Sequence, residues 1–354
     1  MNDGPILLTG ATGFLGMELL LRLLERTNRP IIALVRASDD ATASARLGCV
    51  LATLFPPDMM PQGRVRAVAA DLETPQMGLT AKARDALSAD VDTVVHCAAS
   101  VQFCLPIEQA RAINVGGTRR VLALAANAPN LDRVVHVSTA YVAGDRPGTY
   151  HEHEADIGQR PRNTYEQTKL EAERLVAESA LPAAILRPSI VVGDSRTGWT
   201  PAFNVIYWPL QAFARGLFPC VPADPDARAD IVPVDAVADA LHELTVATHR
   251  TGTYHVVAGD DAVTTSELVA LAADAFGQSR PTFVRPGAAP EVEDRAGAFL
   301  PYFHVRGTFD ATLGHALGFH PPALRTYFAA LMRYASRARW GKRPHARWEL
   351  APGA

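Results

Sequence analysis

One turn constrains this chain more than any other feature. The apolar run Ile6 to Thr9 leads straight into Gly10-Ala11-Thr12-Gly13-Phe14-Leu15-Gly16, and Leu15 to Arg26 then carries helical spacing. Glycine lacks a Cβ, so three of them at this spacing allow a tight strand-to-helix turn whose backbone is open to a ligand. Free N–H groups at the start of the helix, helped by its dipole, then face a pyrophosphate. Glycines alone are a weak signal. Placed after an apolar strand and opening a helix, they predict a dinucleotide cradle built from Gly10, Thr12, Gly13, Phe14, Leu15 and Gly16.

The rest of the chain fits that start. Short apolar runs at Ile6 to Thr9, Ile31 to Val35, Val65 to Ala69, Thr93 to His96, Val134 to Ser138 and Ala184 to Leu186 read as buried parallel strands. Helical spacing at Leu15 to Arg26, Ser38 to Phe55, Ile107 to Ala126 and Asn163 to Ser179 alternates with them. Alternation of this kind predicts a doubly wound α/β sheet with helices on both faces. After Pro188 it stops, and the aromatic, Pro-rich stretch Trp199 to Pro222 suits a cap over a substrate. Ile231 to Val246 and Tyr254 to Val257 resume α/β character. We therefore expect a cofactor domain over 1–196 with returns near 229–258, and a smaller, mostly helical substrate-binding portion with a tail over 197–354.

Cofactor choice is read at the end of the second strand, where Arg36 follows Val35. An acid near here binds a ribose 2′-hydroxyl, whereas a cation accommodates a 2′-phosphate. Arg36 therefore selects NADPH, with Asp39 and Asp40 as the opposing signal. Asp71, with Leu72, follows the third strand and is either an adenine contact or a plain turn residue. Ala98 and Ala99 end the fourth strand with side chains small enough for a cofactor to lie against.

Tyr165 and Lys169 stand four apart at the start of a helix, hence on one face. A phenol with an ordinary pKa of roughly 10 exchanges protons poorly near neutrality, and a neighbouring ammonium is expected to lower it. With eight tyrosines and only three lysines in 354 residues, chance gives about 0.07 such spacings. The other 31 basic residues are arginines, so a lysine here fits a need for a compact ammonium. The fifth strand ends in Ser138-Thr139, and either hydroxyl is placed to hydrogen-bond a developing oxyanion. Asn114, on the preceding helix, is a candidate for orienting a water or the site's backbone.

Other functions are disfavoured. A net charge of −3 offers no basic field for nucleic acid. Four cysteines without CxxC spacing read as reduced thiols, and no basic leader or clean apolar span precedes or interrupts the domain, so a cytoplasmic protein is expected. His151-Glu152-His153-Glu154 has metal-capable side chains but no second cluster; it reads as a charged loop, and no metal is expected. The basic, aromatic stretch Arg325 to Arg347 is either an amphipathic terminal helix or a contact for anionic membrane, CoA phosphates or an acidic carrier protein.

In order, TGATGFLG, VVHCAAS, NVGGT, HVSTAYV, NTYEQTK and RPSIVVGDSRTG make the chain resemble an extended short-chain dehydrogenase/reductase. Gly13-Phe14-Leu15-Gly16, Val35-Arg36, Ser138 to Val142 and Ala229 to Asp235 resemble its thioester reductase and fatty acyl-CoA reductase branch. The resemblance covers 5 to about 260. It implies a Rossmann-type fold, Thr139 as hydroxyl member, Tyr165 as proton donor and Lys169 as ribose-binding cation. It also implies that Arg36 reads the 2′-phosphate and that Pro188 and Ser189 meet the nicotinamide end. By this resemblance an acyl-CoA or acyl-carrier-protein thioester is reduced with NADPH to aldehyde, and on to alcohol if a second hydride follows. Phe203, Ile206, Tyr207, Trp208, Phe213 and Phe218 are candidates for an acyl pocket. Extended members often pair, which makes a homodimer an open expectation. Competing readings are a nucleotide-sugar epimerase or dehydratase, a ketone or hydroxysteroid dehydrogenase, and a non-catalytic cofactor-binding protein.

Overall fold

The computed structural model describes residues 4–285 and 287–350. Seven strands form one parallel sheet: β1 (Ile6–Thr9), β2 (Ile31–Val35), β3 (Val65–Ala69), β4 (Thr93–His96), β5 (Arg133–Val137), β6 (Ala183–Pro188) and β7 (Gly252–Val256). Their order is β7-β6-β5-β4-β1-β2-β3, so β1 and β4 are neighbours from which the chain winds in opposite directions. Ligands of open α/β sheets bind at the carboxyl ends of such a pair. The helices that frame the site are α1 (Phe14–Arg26), α2 (Asp40–Leu54), α3 (Ala81–Asp90), α4 (Ile107–Ala126), α5 (Thr164–Glu178), α6 (Tyr207–Ala214), α7 (Val234–His242), α8 (Thr265–Phe276) and α9 (Leu324–Arg337).

Side chains alternate across each strand, and both faces of the sheet are apolar. Ile6 and Leu8 share a core with Leu19, Leu20 and Leu23 of α1 and with residues of α2 and α7. Leu7 points the other way, to Leu87 of α3, Val121 of α4 and Val176 of α5. This explains why the strands read as unbroken apolar runs. A third cluster joins Phe213 of α6, Leu268 of α8 and Phe328 of α9 to Tyr141 and Ile190, which follow β5 and β6. The stretch expected to form a cap contains α6 and a short strand, Cys220–Pro222, paired with Thr282–Val284. Downstream, Ile231–Pro233 pairs with Ile190–Val192, and β7 adds to the sheet beside β6.

Beyond α9 the chain folds back over the first two helices. The Arg347 backbone N–H donates to Thr53 O (2.7 Å), and Trp348 Nε1 donates to Ala52 O (3.2 Å). The Arg347 guanidinium grips Glu18 of α1 through Nε (2.5 Å) and Nη2 (3.2 Å). Glu18 is fully buried and is also held by Arg22 Nη1 (2.6 Å), whose Nε reaches Asp239 of α7 (2.6 Å). Arg347, one of the cations read from sequence as a surface feature, is therefore internal. Arg325, Arg333 and Arg337 are exposed, while Leu324, Phe328 and Leu331 fill the inner face of α9.

Candidate active site

The glycines do what their positions require. Gly10 has φ +76°, and a Cβ there would lie 2.7 Å from Ala98 N. At Gly16 a Cβ would lie 2.0 Å from Gly10 O. Gly13 caps α1 and offers no side chain to its first N–H groups, leaving them for an anion. Beneath the turn, Thr9 Oγ1 takes a hydrogen bond from Ala98 N (3.2 Å) and lies 2.8 Å from His96 Nδ1. Thr118 Oγ1 donates to Asn114 O (2.7 Å), so His96 Nε2, 3.0 Å away, must donate to Thr118 and Nδ1 must accept from Thr9. Burial, with Lys169 nearby, lowers the His96 pKa to about 3, in keeping with that neutral form.

The turn opens on a cleft of about 1260 Å³. Its walls bring together Gly10, Gly13, Phe14, Leu15, Gly16, Ala99, Thr139, Tyr165, Lys169, Pro188 and Ser189, all singled out from the sequence. Asn163 caps α5 by accepting from Glu166 N (2.9 Å), which sets Tyr165 in the first turn and Lys169 one turn deeper. Tyr165 and Thr139, at the end of β5, line the same cleft, and the Thr139 hydroxyl favours ionisation of the phenol. Thr139 Oγ1 also accepts from Tyr141 N (3.2 Å), while the Ser138 hydroxyl on the same wall is buried without a partner. Of the two hydroxyls, that of Thr139 is the one that bears on the ionisation of the phenol.

One expectation needs correcting. Burial pushes the Tyr165 phenol up to about 12, against the downward pull of Thr139. Lys169 was expected to lower it. Instead Lys169 Nζ donates to Val137 O (2.7 Å) and lies 3.3 Å from His136 Nε2. Burial lowers Lys169 itself to about 8, with Glu173 pulling the other way. Desolvation opposes charge on both groups, and in this geometry it exceeds the attraction that their sequence spacing suggested. The pair is thus a neutral phenol and an ammonium that titrates near neutrality. Cys97, also on the cleft wall, is pushed up to about 12 by burial, which disfavours it as a thiolate nucleophile.

Asn114 is buried and fully used: Oδ1 accepts from Ser100 N (2.8 Å), and Nδ2 donates to Ser100 O (3.1 Å) and Thr168 Oγ1 (2.9 Å). It ties the segment after β4 to α5, which makes it a positioning group. Arg36 lies exposed at the end of β2, 3.3 Å from Glu73 Oε1. Arg46 of α2 donates to the Arg36 carbonyl, a second cation the sequence reading missed for want of any local motif. The opposing acids are occupied: Asp39 caps α2 by accepting from Thr42 N (2.7 Å), and Asp40 accepts from Ala69 N (2.7 Å). Asp71 accepts from Glu73 N (2.9 Å), and Leu72 O accepts from Arg120 (2.8 Å), so both organise the turn after β3. Thr12 sits half-exposed at the tip of the glycine turn, and Ala98 lies under it. Asp230 is a further buried organiser that sequence reasoning missed. It accepts from Ala258 N (2.8 Å) and Gly259 N (2.9 Å). In the 151–154 loop, Glu152 accepts from His255 N (2.7 Å) and Gly314 N (2.8 Å), and Glu154 pairs with Arg146 (2.7 Å).

Residues 8–241 match the Male sterility protein family, an NAD-binding family. The chain belongs to it. This is a branch of the extended short-chain dehydrogenase/reductases, which are NAD(P)-dependent oxidoreductases. Similar proteins include a component of the linear gramicidin synthase of Brevibacillus parabrevis, 33% identical over 75% of this chain and 5% of that one. Human fatty acyl-CoA reductase 1 is 33% identical over 66% of this chain and 53% of its own length. The chain thus spans about half the length of that reductase. The terminal R domain of the myxalamid PKS-NRPS pathway superposes with a TM-score of 0.83 at 29% identity, covering 98% of this chain and 93% of that one. UDP-glucuronic acid 4-epimerase of Bacillus cereus, at 19% identity and a TM-score of 0.70, shares the fold alone. Among the described residues, no helix is long and apolar enough to cross a membrane.

Proposed function

We propose that the protein reduces an acyl thioester, carried on CoA or a carrier protein, with NADPH. The observation that carries this reading is the Tyr165 phenol, brought together with Thr139 and Lys169 at the wall of a cleft floored by the glycine turn. The cradle fits a dinucleotide, because its turn is so tight that a Cβ at Gly10 or Gly16 would strike main chain, and the N–H groups at the start of α1 have no side-chain cap. Gly10, Gly13 and Gly16 would hold its pyrophosphate, Lys169 its ribose, and Pro188 and Ser189 its nicotinamide end. Arg36, with Arg46 beside it, favours the 2′-phosphate over a bare ribose. When bound, NADPH supplies the hydride that reduces the thioester carbonyl carbon. Tyr165, neutral at physiological pH, gives its proton to the carbonyl oxygen, and Thr139 steadies both. Lys169, one turn further along α5, would return a proton to the phenol. The hemithioacetal then breaks its C–S bond, releasing thiol and aldehyde.

The sequence similarity to fatty acyl-CoA reductases supports the substrate class, and that to the gramicidin synthase supports a carrier-bound form of it. Incubation with acyl-CoAs or acyl-carrier protein and either NADPH or NADH, followed by mass spectrometry, tests the reading. Aldehyde or alcohol matched to NADPH oxidation is expected. Equal turnover with NADH would remove the role given to Arg36, and no turnover with any thioester would remove the function.

A further inference from the structure

We infer that the catalytic cleft continues into an apolar chamber between α6 and α8 that receives the acyl chain, and that the depth of this chamber selects chain length. The inference rests on the thioester reading and deepens it. Ile190, Val205 and Tyr302 wall both the cleft and a narrow neck. Ile206, Pro209 and Leu268 wall both that neck and a chamber between α6 and α8. The three spaces share walls in sequence and so line up from the phenol to the gap between the two helices.

The chemistry inside admits only an apolar guest. Phe213, Phe218 and Ala272 line the far end. Among the described residues, the one hydroxyl in the chamber wall, on Thr265, is already used, donating to Ala227 O (3.1 Å). A sugar or nucleotide entering there would lose its water without gaining partners, whereas methylenes lose nothing. Helical spacing explains which side chains face in. Ile206, Pro209, Leu210 and Phe213 recur at i, i+3, i+4 and i+7 along one face of α6. Of the six aromatic and aliphatic candidates read from the sequence, Ile206, Phe213 and Phe218 line the chamber. Tyr207 turns away to accept a hydrogen bond from Gly193 N (2.9 Å), Phe203 stacks on Tyr334, and Trp208 faces solvent.

The neck is held in register with the chemistry. Tyr302 accepts from Asn163 Nδ2 (2.9 Å) and donates to Glu166 Oε1 (3.0 Å), so both its anchors lie at the start of the catalytic helix. Its ring packs against Phe103, which in turn packs against Tyr165. Val205, at the same junction, has φ +48°, a strained conformation for a β-branched residue.

The test measures chain binding separately from turnover. An 11-(dansylamino)undecanoic acid probe is titrated into the protein and displaced by saturated fatty acids of four to sixteen carbons. In parallel, kcat/KM is measured with NADPH and acyl-CoAs of the same lengths. Each methylene entering the chamber should raise kcat/KM roughly four-fold, the equivalent of ~0.8 kcal/mol, until the space is full. Ala272→Phe shortens the chamber and Leu268→Trp narrows its neck. Each should weaken probe binding and lower the hexadecanoyl-to-butyryl ratio of kcat/KM at least ten-fold, with a cooperative thermal transition retained. Phe213→Ala deepens the chamber and should move the optimum to longer chains, which keeps the inference testable if a filled variant does not fold. Identical chain-length profiles in wild type and all folded variants, or probe binding indifferent to them, would overturn it. Length-dependent, variant-sensitive displacement without reduction of any thioester would support the chamber while ending the thioester reading.

Discussion

Replacing Gly16 by alanine tests the glycine turn with a single methyl group. The added Cβ would sit 2.0 Å from Gly10 O, 2.7 Å from Gly10 C and 3.1 Å from Ala11 Cα. All three neighbours are main chain or adjoin it, so no side-chain rotation relieves the clash. Gly10 cannot retreat towards β4, because its own missing side chain already leaves only 2.7 Å to Ala98 N. The start of α1 must therefore lift, against a helix packed by Leu19, Leu20 and Leu23. Overpacking of this kind costs about 1–3 kcal/mol, or about 1–4 °C in melting temperature for a chain of this size. The lifted N–H groups would lose at least one charge-assisted hydrogen bond to a pyrophosphate, worth about 1.5–3 kcal/mol, so NADPH affinity should fall about 10- to 100-fold. Gly48→Ala is the control. It lies inside α2 with nothing within 4 Å of its Cβ position, and alanine there should stabilise by about 0.5–1 kcal/mol. Thermal unfolding and titration calorimetry with NADPH read both variants. A Gly16→Ala protein that binds NADPH like wild type would show that the pyrophosphate does not sit on this turn.

Tyr165→Phe removes a hydroxyl but keeps the ring packed on Phe103, so hydride transfer should slow about 10²- to 10⁴-fold with little change in melting temperature; single-turnover NADPH oxidation checks this, and an unchanged rate would dismiss Tyr165 as the acid. Lys169 acts in its ammonium form and has its pKa lowered to about 8, so reduction should hold steady between pH 6 and 7 and decline above about pH 8, while Tyr165, at about 12, stays protonated throughout. A rate rising through pH 9 would contradict that order of events. Arg347→Ala leaves the buried Glu18 carboxylate with Arg22 alone and should cost about 1–3 kcal/mol, less than the loss of a sole buried partner. Urea denaturation measures it, and a loss within error would mean that the returning tail adds nothing to α1.

Much of the sheet was legible because buried parallel strands declare themselves. The limits of β1 to β4 coincide with the runs read from sequence, β5 starts and ends one residue earlier, and β6 is longer at both ends. The helix α3 escaped notice because AKARDALSAD buries only Leu87 and Ser88 and so lacks an apolar stripe. At the site, motifs located the cleft wall but not its electrostatics. Whether a lysine lowers a neighbouring phenol depends on how dry both are and where the amine points, and Tyr165 and Lys169 carry no local sign of either. Arg46, Asp230 and Tyr302 were missed for a related reason: each acts on backbone or side chains brought near by folding alone. The pocket candidates on α6 divided by helical phase, which a list of apolar residues does not contain.

The clasp between Glu18 and Arg347 joins residues 329 positions apart. At synthesis rates of roughly 5–20 residues per second, about 15–65 s separate the appearance of the carboxylate from that of its second guanidinium. The helix that seats the dinucleotide is thus completed only once the chain has reached Arg347. During that interval, nucleotide in the surrounding solution and the still-unmade tail have the same target, and whatever steadies α1 first eases the docking of the other.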